Sequence, residues 1–477
     1  MNEVRIGGYH YGQLHRHLFR PDRDEHGALL LAGRHTDAQG RLTLTVREVH
    51  TLSDAEFPPG VHGYRQIAAQ VLARVGNRAA EEGLALVSVH SHPGSRMRTA
   101  LSRDDLEAHA RVFPHLLDIT DADVIGGIAF GERSAAGELW TSAGERVALD
   151  WVRVVGPNLS FLTAAPEEAG AVAEDRFDRQ VRLFGGTGQA RLRAMHVAVV
   201  GAGGGGSILV EQLAHLGVGE ITIVDYDIVK THNLSRIMGA TTKDARRRRK
   251  KVEVARRQVA RIDPRISVNA IDGDIAEART AERLIECDYI FLATDTATAR
   301  LVANAVAQTF LIPVIQIGAK VESRPDGMIE QIYTAVRPVL PRRGCLACAG
   351  LIDPDQLRRE SVTPEERENQ NYLGTAEVID PSVTTLNSAA ASGGLNVFLM
   401  GAVGLADEEL ADHRITLTQS GTVMTTNVRT RPDCRWCGDG PRSRYARGDI
   451  ALLPTRPRSG SEVRPGVRRW LRVLSRR

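Results

Sequence analysis

Residues His196–Arg236 read HVAVVGAGGGGSILVEQLAHLGVGEITIVDYDIVKTHNLSR, and the fold is decided there. The apolar run Val197–Val200 predicts a buried strand, which Gly201-x-Gly203-x-x-Gly206 turns into a helix from Ser207 to about Leu216. A second apolar run, Ile221–Val224, ends in Asp225, 24 residues after Gly201. Strand, glycine loop, helix, strand and acid in that order make the nucleotide-binding half of a doubly wound α/β sheet. The glycines let backbone approach phosphate, the helix N-terminus offers N–H donors, and Asp225 can accept ribose hydroxyls. A redox dinucleotide would suit this loop as well as ATP does, so the choice falls to the flanking residues.

The chain has 477 residues, too many for one core, which predicts two or three domains. Hydrophobic content of 42% and charged content of 25% are those of globular protein. No apolar run reaches membrane-spanning length and the first residues lack a secretory pattern, so a cytoplasmic protein without a membrane span is expected. Five cysteines do not make a disulfide scaffold, but four of them form two CxxC pairs, which points to metal. Residues 441–477 carry 11 Arg against Asp449 and Glu462, a net +9. The remainder is therefore −6 within a total of +3, and nucleic acid is disfavoured as the main partner.

Four segments are predicted. Residues 1–155 form an α+β unit, with strands at Ala28–Ala32, Leu42–Val49, Leu84–His92 and Val124–Phe130 and helices at Gln13–Phe19, Tyr64–Glu82 and Ser102–Phe113. Residues 156–174 read as an Ala-, Glu- and Pro-rich linker. Residues 175–440 alternate strands and helices, suiting a mostly parallel sheet covered on both faces. Residues 441–477 read as a basic, disordered tail in which Val467–Leu474 could be a short amphipathic helix.

In the first unit His90 and His92 end a strand two residues apart, so both imidazoles leave the same face. Asp105 opens the next helix three residues after Ser102 and can fold back towards them. Two His and one carboxylate leave a fourth tetrahedral position open, the pattern of a catalytic zinc. Glu25 followed by HGALLLAG, then His90-x-His92-Pro93, then Leu101-Ser102-x-x-Asp105, resembles the JAB/MPN (JAMM) metalloprotease family over residues 1–150. The resemblance implies His90, His92 and Asp105 as zinc ligands, Glu25 as the base that activates water, and Ser102 as a donor to the tetrahedral oxyanion. It implies isopeptide or peptide bonds after the glycine-ended tail of a ubiquitin-like protein as substrate. The interval from His92 to Ser102 is a little longer than the family's, which implies a looser loop.

The second unit carries Arg176-Phe-Asp-Arg179-Gln180 before the glycine loop, Asp225-Tyr-Asp227 and Asn233-Leu-Ser-Arg236 after it, then Lys250-Lys251 and a strand ending at Thr294-Asp295. Cys345/Cys348 and Cys434/Cys437 follow. In this order the motifs resemble the ubiquitin-activating superfamily over about 174–440, especially the ThiF/MoeB-like adenylyltransferases that activate bacterial sulfur carriers. Gly201, Gly203 and Gly206 would hold phosphate and Asp225 ribose, with Asn233, Arg236 and Lys251 against the triphosphate and Asp295 on Mg²⁺. The reaction implied is attack of a C-terminal carboxylate on the α-phosphate of ATP. In the family an arginine at the place of Arg179 reaches the neighbouring subunit's ATP, which implies a homodimer. Two CxxC pairs some 85 residues apart suit one closed, structural four-thiolate zinc, so two zinc ions are expected, one catalytic and one structural.

Thioester-forming relatives carry a cysteine between the two CxxC pairs, and this chain has none there. Cys287 sits in an apolar strand entry, LIECDYIFLATD, and reads as a buried thiol. The expectation is therefore a bifunctional enzyme of a bacterial ubiquitin-like pathway. One head would process or deconjugate the carrier, and the other would adenylate it and hand it on without an internal thioester to a separate conjugating enzyme or sulfur donor. Such pairings resemble bacterial conjugation operons, antiphage ones included. The alternative is sulfur-carrier activation for molybdopterin, thiamine or cysteine biosynthesis. A regulatory scaffold is disfavoured because both sets of motifs are complete.

Overall fold

Alternating and continuous apolar runs make two sheets, seen here in a computed structural model. It describes residues 1–59, 65–120, 122–165, 174–324, 326, 328–361 and 381–456. The first unit runs β1 (Glu3–Gly7), α1 (Gly8–Leu18), β2 (Gly27–Thr36), β3 (Leu42–Thr51), α2 (Ala69–Glu82), β4 (Ala85–Ser91), α3 (Arg103–Thr120), β5 (Val124–Phe130), β6 (Ala135–Thr141), β7 (Arg146–Ala148), β8 (Trp151–Val155) and β9 (Leu159–Leu162). These nine strands form one mixed sheet in the order β7-β6-β5-β4-β2-β3-β1-β8-β9. Helix α2 has its core residues at Val71, Val75 and Ala79, four apart, and stops at Gly83, whose φ of 65° suits only a residue without Cβ.

The second unit continues with α4 (Asp178–Ala194), β10 (His196–Val200), α5 (Gly204–Leu216), β11 (Glu220–Val224), α6 (Thr242–Arg246), α7 (Lys251–Ile262), β12 (Ser267–Ile271), α8 (Ala278–Ile285), β13 (Tyr289–Leu292), α9 (Ala297–Phe310), β14 (Val314–Ser323), β15 (Ile329–Val339), α10 (Pro354–Ser361), α11 (Thr384–Val403), β16 (His413–Leu417) and β17 (Thr422–Thr426). The sheet order is β12-β11-β10-β13-β14-β15-β16-β17. Strands β10 to β14 are parallel, as four of the seven pairings among the described residues, whereas β14 to β17 pair antiparallel, so the sheet is mixed with an antiparallel part that the sequence reading did not set apart. Val, Ile and Leu runs in β10, β11 and β13 are buried on both faces, as helix-covered parallel strands require. Helix α11 is long and apolar enough by composition to cross a membrane. It packs instead on the sheet, burying Ala390, Ala391, Leu395 and Phe398 in the same core as β10 and β14.

Two predicted boundaries move. The segment 156–174 is not wholly a linker, because β9 lies within it and pairs antiparallel with β8; residues 166–173 lie outside the described ones. Nor does an unstructured tail begin at 441. Tyr445 and Ala446 are fully buried, and Ala446 O accepts from Gly33 N and Thr45 Oγ1 while its own N–H donates to Gln308 O. Arg47 donates to Tyr445 O, and Asp449 accepts from His35 and from Thr36 N. One aromatic anchor and a row of backbone bonds thus strap β2 and β3 onto α9, a gain that Arg- and Pro-rich composition hides. The basic helix expected at Val467–Leu474 lies outside the described residues.

A buried ion chain crosses the same seam. Asp288, between α8 and β13, pairs with Arg153 at 2.6 Å, Arg153 with Glu3 at 2.9 Å, and Glu3 with Arg5, which donates to Phe310 O at 3.0 Å. Burial raises the Glu3 pKa, but Arg153, Arg5 and the Trp151 N–H outweigh it and hold it at about 2. An unfolded glutamate titrates near 4.5, so this contribution is complete above that pH and is lost as pH falls through about 2. Glu3→Gln should therefore melt earlier than wild type at pH 7, and the gap should close as scanning calorimetry is carried from pH 5 down to 2. A gap independent of pH would overturn this.

Candidate active sites

The first site forms where β4 leaves the sheet. Gly27 pairs with His90, and Ser91 N donates to His26 O, so Glu25 comes opposite His92 at the strand ends. Ser102 caps α3: its N–H and hydroxyl both donate to Asp105 Oδ2 at 2.7 Å, turning that carboxylate towards the histidines. His90 Nε2 and His92 Nε2 are 3.0 Å apart, and Asp105 oxygens lie 3.2 and 3.5 Å from them. Zinc bonds of about 2.0–2.1 Å in a tetrahedron require ligand atoms roughly 3.3 Å apart, so this donor set fits the ion. Burial raises the Glu25 pKa against the pull of both histidines. Ser102 spends its hydroxyl on Asp105 in this state, so donation to an oxyanion would require that bond to open. The long loop between His92 and Ser102 is not loose. Glu132 N and Arg133 N donate to Ser95 O and Arg96 O, and Thr99 N to Ala164 O.

The second site lies at the carboxyl ends of β10, β11 and β13. Chain order runs one way from β10 to β12 and the other way through β13, so the site sits at the topological switch point. Gly201 has φ of 95°, and a Cβ there would lie 2.8 Å from Ala293 O; one on Gly206 would lie 1.7 Å from Gly201 O. These two glycines are fixed by close backbone approach, while Gly203 faces open space and N-caps α5 without a side-chain cap. The uncapped N–H groups of α5 are thus left for an anion. Asp225 accepts from Ala202 N at 2.7 Å and Asp227 N at 2.8 Å, which aims it at the loop.

Other predicted residues are placed as follows. Lys251 Nζ lies 2.7 Å from Asp227 and 3.9 Å from Asp225, inside the site but paired with its acids. Asn233 is buried and its Oδ1 accepts from Lys230 N, which holds the turn carrying Arg236. Arg236 donates to His232 O and brings its Cδ within 3.4 Å of where a Gly204 Cβ would stand. Asp295 is exposed just after β13, and Arg179 is exposed on the first turn of α4. Two residues escaped the sequence reading. Asn387 of α11 lies against Gly204, and Glu360 of α10 accepts from Ala297 N, Thr298 N and Thr298 Oγ1, capping α9 beside Asp295. Both come from segments far along the chain with no motif of their own.

Cys345, Cys348, Cys434 and Cys437 converge with sulfur atoms 3.7 Å (345 to 434) and 3.5 Å (348 to 437) apart. Zinc–sulfur bonds of about 2.3 Å give tetrahedral edges of roughly 3.8 Å, so the four sulfurs could hold zinc. Cys287 is fully buried and lies 3.5 Å from His196; burial and the acids around it push its thiol well up.

Residues 177–436 match the ThiF family. The chain belongs to the ThiF family. The ThiF match begins beyond the first sheet, so residues 1–176 lie outside it. The chain is 28% identical over 270 residues to a SAMP-activating enzyme E1 of Haloferax volcanii, covering 56% of this chain and 89% of that one. It is 32% identical over 275 residues to a sulfur carrier protein adenylyltransferase of Thermus thermophilus, covering 57% and 93%. A molybdopterin-synthase adenylyltransferase of Escherichia coli is 33% identical over 156 residues, 32% of this chain and 61% of that protein.

Proposed function

We propose that this ThiF-family chain is a two-headed enzyme acting on the glycine-ended tail of a ubiquitin-like or sulfur-carrier protein. The observation that carries the adenylating half is the uncapped α5 N-terminus beside Asp225 and Arg236 at the switch point. There the carrier's terminal carboxylate attacks the α-phosphorus of ATP, an acyl–phosphate bond forms, and pyrophosphate leaves. Asn233, Arg236 and Lys251 neutralise the triphosphate, Asp225 holds the ribose, and Asp295 would hold Mg²⁺, which screens the phosphate charge. Positioning and charge carry this step, since no protein bond is made. Lys251 must exchange Asp227 for phosphate when ATP enters. Arg179 stands exposed and serves the site of a second copy, making the enzyme a homodimer.

For the first head we propose hydrolysis of a peptide or isopeptide bond after the same tail. His90, His92 and Asp105 would hold zinc, which supplies Lewis acidity that makes water a nucleophile near neutral pH. Glu25, raised by burial, takes the proton of that water and passes it to the leaving amine.

The test of the adenylating reading is ATP–pyrophosphate exchange with diglycine-tailed carriers: exchange should require the carrier's free carboxylate. Exchange with no carrier response would overturn it. The buried, high-pKa Cys287 leads to a second expectation, that no DTT-sensitive adduct forms on this chain and that Cys287→Ala exchanges like wild type. The fate of the adenylate has two readings. Similarity to a sulfur carrier protein adenylyltransferase over 93% of that protein favours sulfur transfer, while the hydrolytic head favours conjugation and deconjugation. Mass spectrometry after adding a sulfide source or an amine acceptor separates them, by a carrier gaining sulfur or a carrier joined to amine.

A further inference from the structure

We infer that His109, held by Glu138, is a positioning residue that aims Asp105 at His90 and His92; the inference rests on the zinc reading of that site. Asp105 and His109 are four apart on α3 and so share one face, one turn of about 5.4 Å apart. The sheet beneath is in fixed register: Ser88 pairs with Gly127, and Gly127 with Glu138. Ser88 and His90 project from the same face of β4, which sets His109 one row behind the metal-facing pair.

His109 is buried, its Nδ1 donates to Glu138 Oε1 at 2.8 Å, and its ring stacks on Phe113 with centroids 4.3 Å apart. Glu138 is itself held by the Trp140 N–H at 3.0 Å and by Arg146. The ring abuts Gly127, where a Cβ would come within 2.2 Å of Cε1 and 2.4 Å of Nε2. Only glycine leaves room for it. A buried histidine clamped to a buried acid fixes how α3 is rotated and how deep it sits. Asp105, one turn earlier, then meets the histidines at 3.2 and 3.5 Å instead of turning to solvent. An apolar residue at 109 would fill the space without specifying that rotation.

The test measures zinc affinity of the full chain by competition with a chromophoric chelator, with the four-cysteine site as an internal control. Wild type should bind one zinc more than His90→Ala. His109→Leu should weaken that one zinc by about ten- to a hundredfold, the usual effect of supporting residues around a metal, and leave the four-cysteine zinc unchanged. Gly127→Ala, which keeps both clamp residues but displaces the ring, should weaken it likewise. The pair His109→Leu/Gly127→Ala should be no worse than the single variants, because both act through one ring. Wild-type affinity in both single variants would overturn the positioning role and leave the zinc reading standing. Equal zinc in wild type and His90→Ala would overturn both. If His109→Leu fails to fold, seen as loss of the four-cysteine zinc as well, Gly127→Ala decides alone.

Discussion

Glu25→Gln should lower peptide-bond hydrolysis by two to four orders of magnitude while the protein keeps its zinc and its melting temperature. The side chain is half buried at the rim opposite His92, and burial is what raises its pKa, so a neutral amide of the same shape meets no new strain. It also lies outside the ligand set, whose two ring nitrogens and Asp105 carboxylate oxygens stand 3.0–3.5 Å apart. The experiment follows cleavage of a carrier extended beyond its diglycine, with metal content and a thermal melt in parallel. Full cleavage by the variant would overturn Glu25 as the base. Loss of one zinc would move Glu25 into the ligand set.

The second large effect is expected from Arg236→Ala, which should reduce carrier-dependent ATP–pyrophosphate exchange by about two to three orders of magnitude. Among the described residues its guanidinium bonds to one carbonyl, that of His232, and its stem rests against the start of α5. Such a group does little for the fold, so the melting temperature should stay within a degree or two. Lys251→Ala is different, because it removes the partner of Asp227 and a charge close to half-buried Asp225. That variant should lose exchange together with some stability. Equal exchange in wild type and Arg236→Ala would mean that the triphosphate lies elsewhere.

Much of what the two candidate sites bring together was legible because each depends on short-range pattern. The glycine loop, Asp225 and the Asn233–Arg236 turn fall within or just after one strand–helix–strand unit, and His90, His92, Ser102 and Asp105 within another. What sequence could not carry was long-range. Asn387 reaches Gly204 from almost two hundred residues away, and Glu360 caps α9 from a segment without periodicity. The antiparallel part of the second sheet was not set apart from the mostly parallel sheet expected, because strands as short and exposed as β16 and β17 carry no mark of their direction. Strands β1 and β8 were missed because Glu3, Arg5 and Arg153 look like surface residues until their ion chain is seen. The same bias made a tail of residues 441–456: arginines there donate inward to carbonyls and to Glu82.

The strap formed by those residues has a consequence for synthesis. β2 and β3 leave the ribosome early, yet the backbone bonds that close their seam, Gly33 to Ala446 and Arg34 to Asp449, join positions more than four hundred residues apart. The first sheet must therefore wait, with that seam unsealed, until residues 446–449 emerge. Such remote closure is slow and leaves an aggregation-exposed interval. A nascent chain stalled before residue 440 should leave β2 and β3 open to protease, and release through residue 456 should protect them.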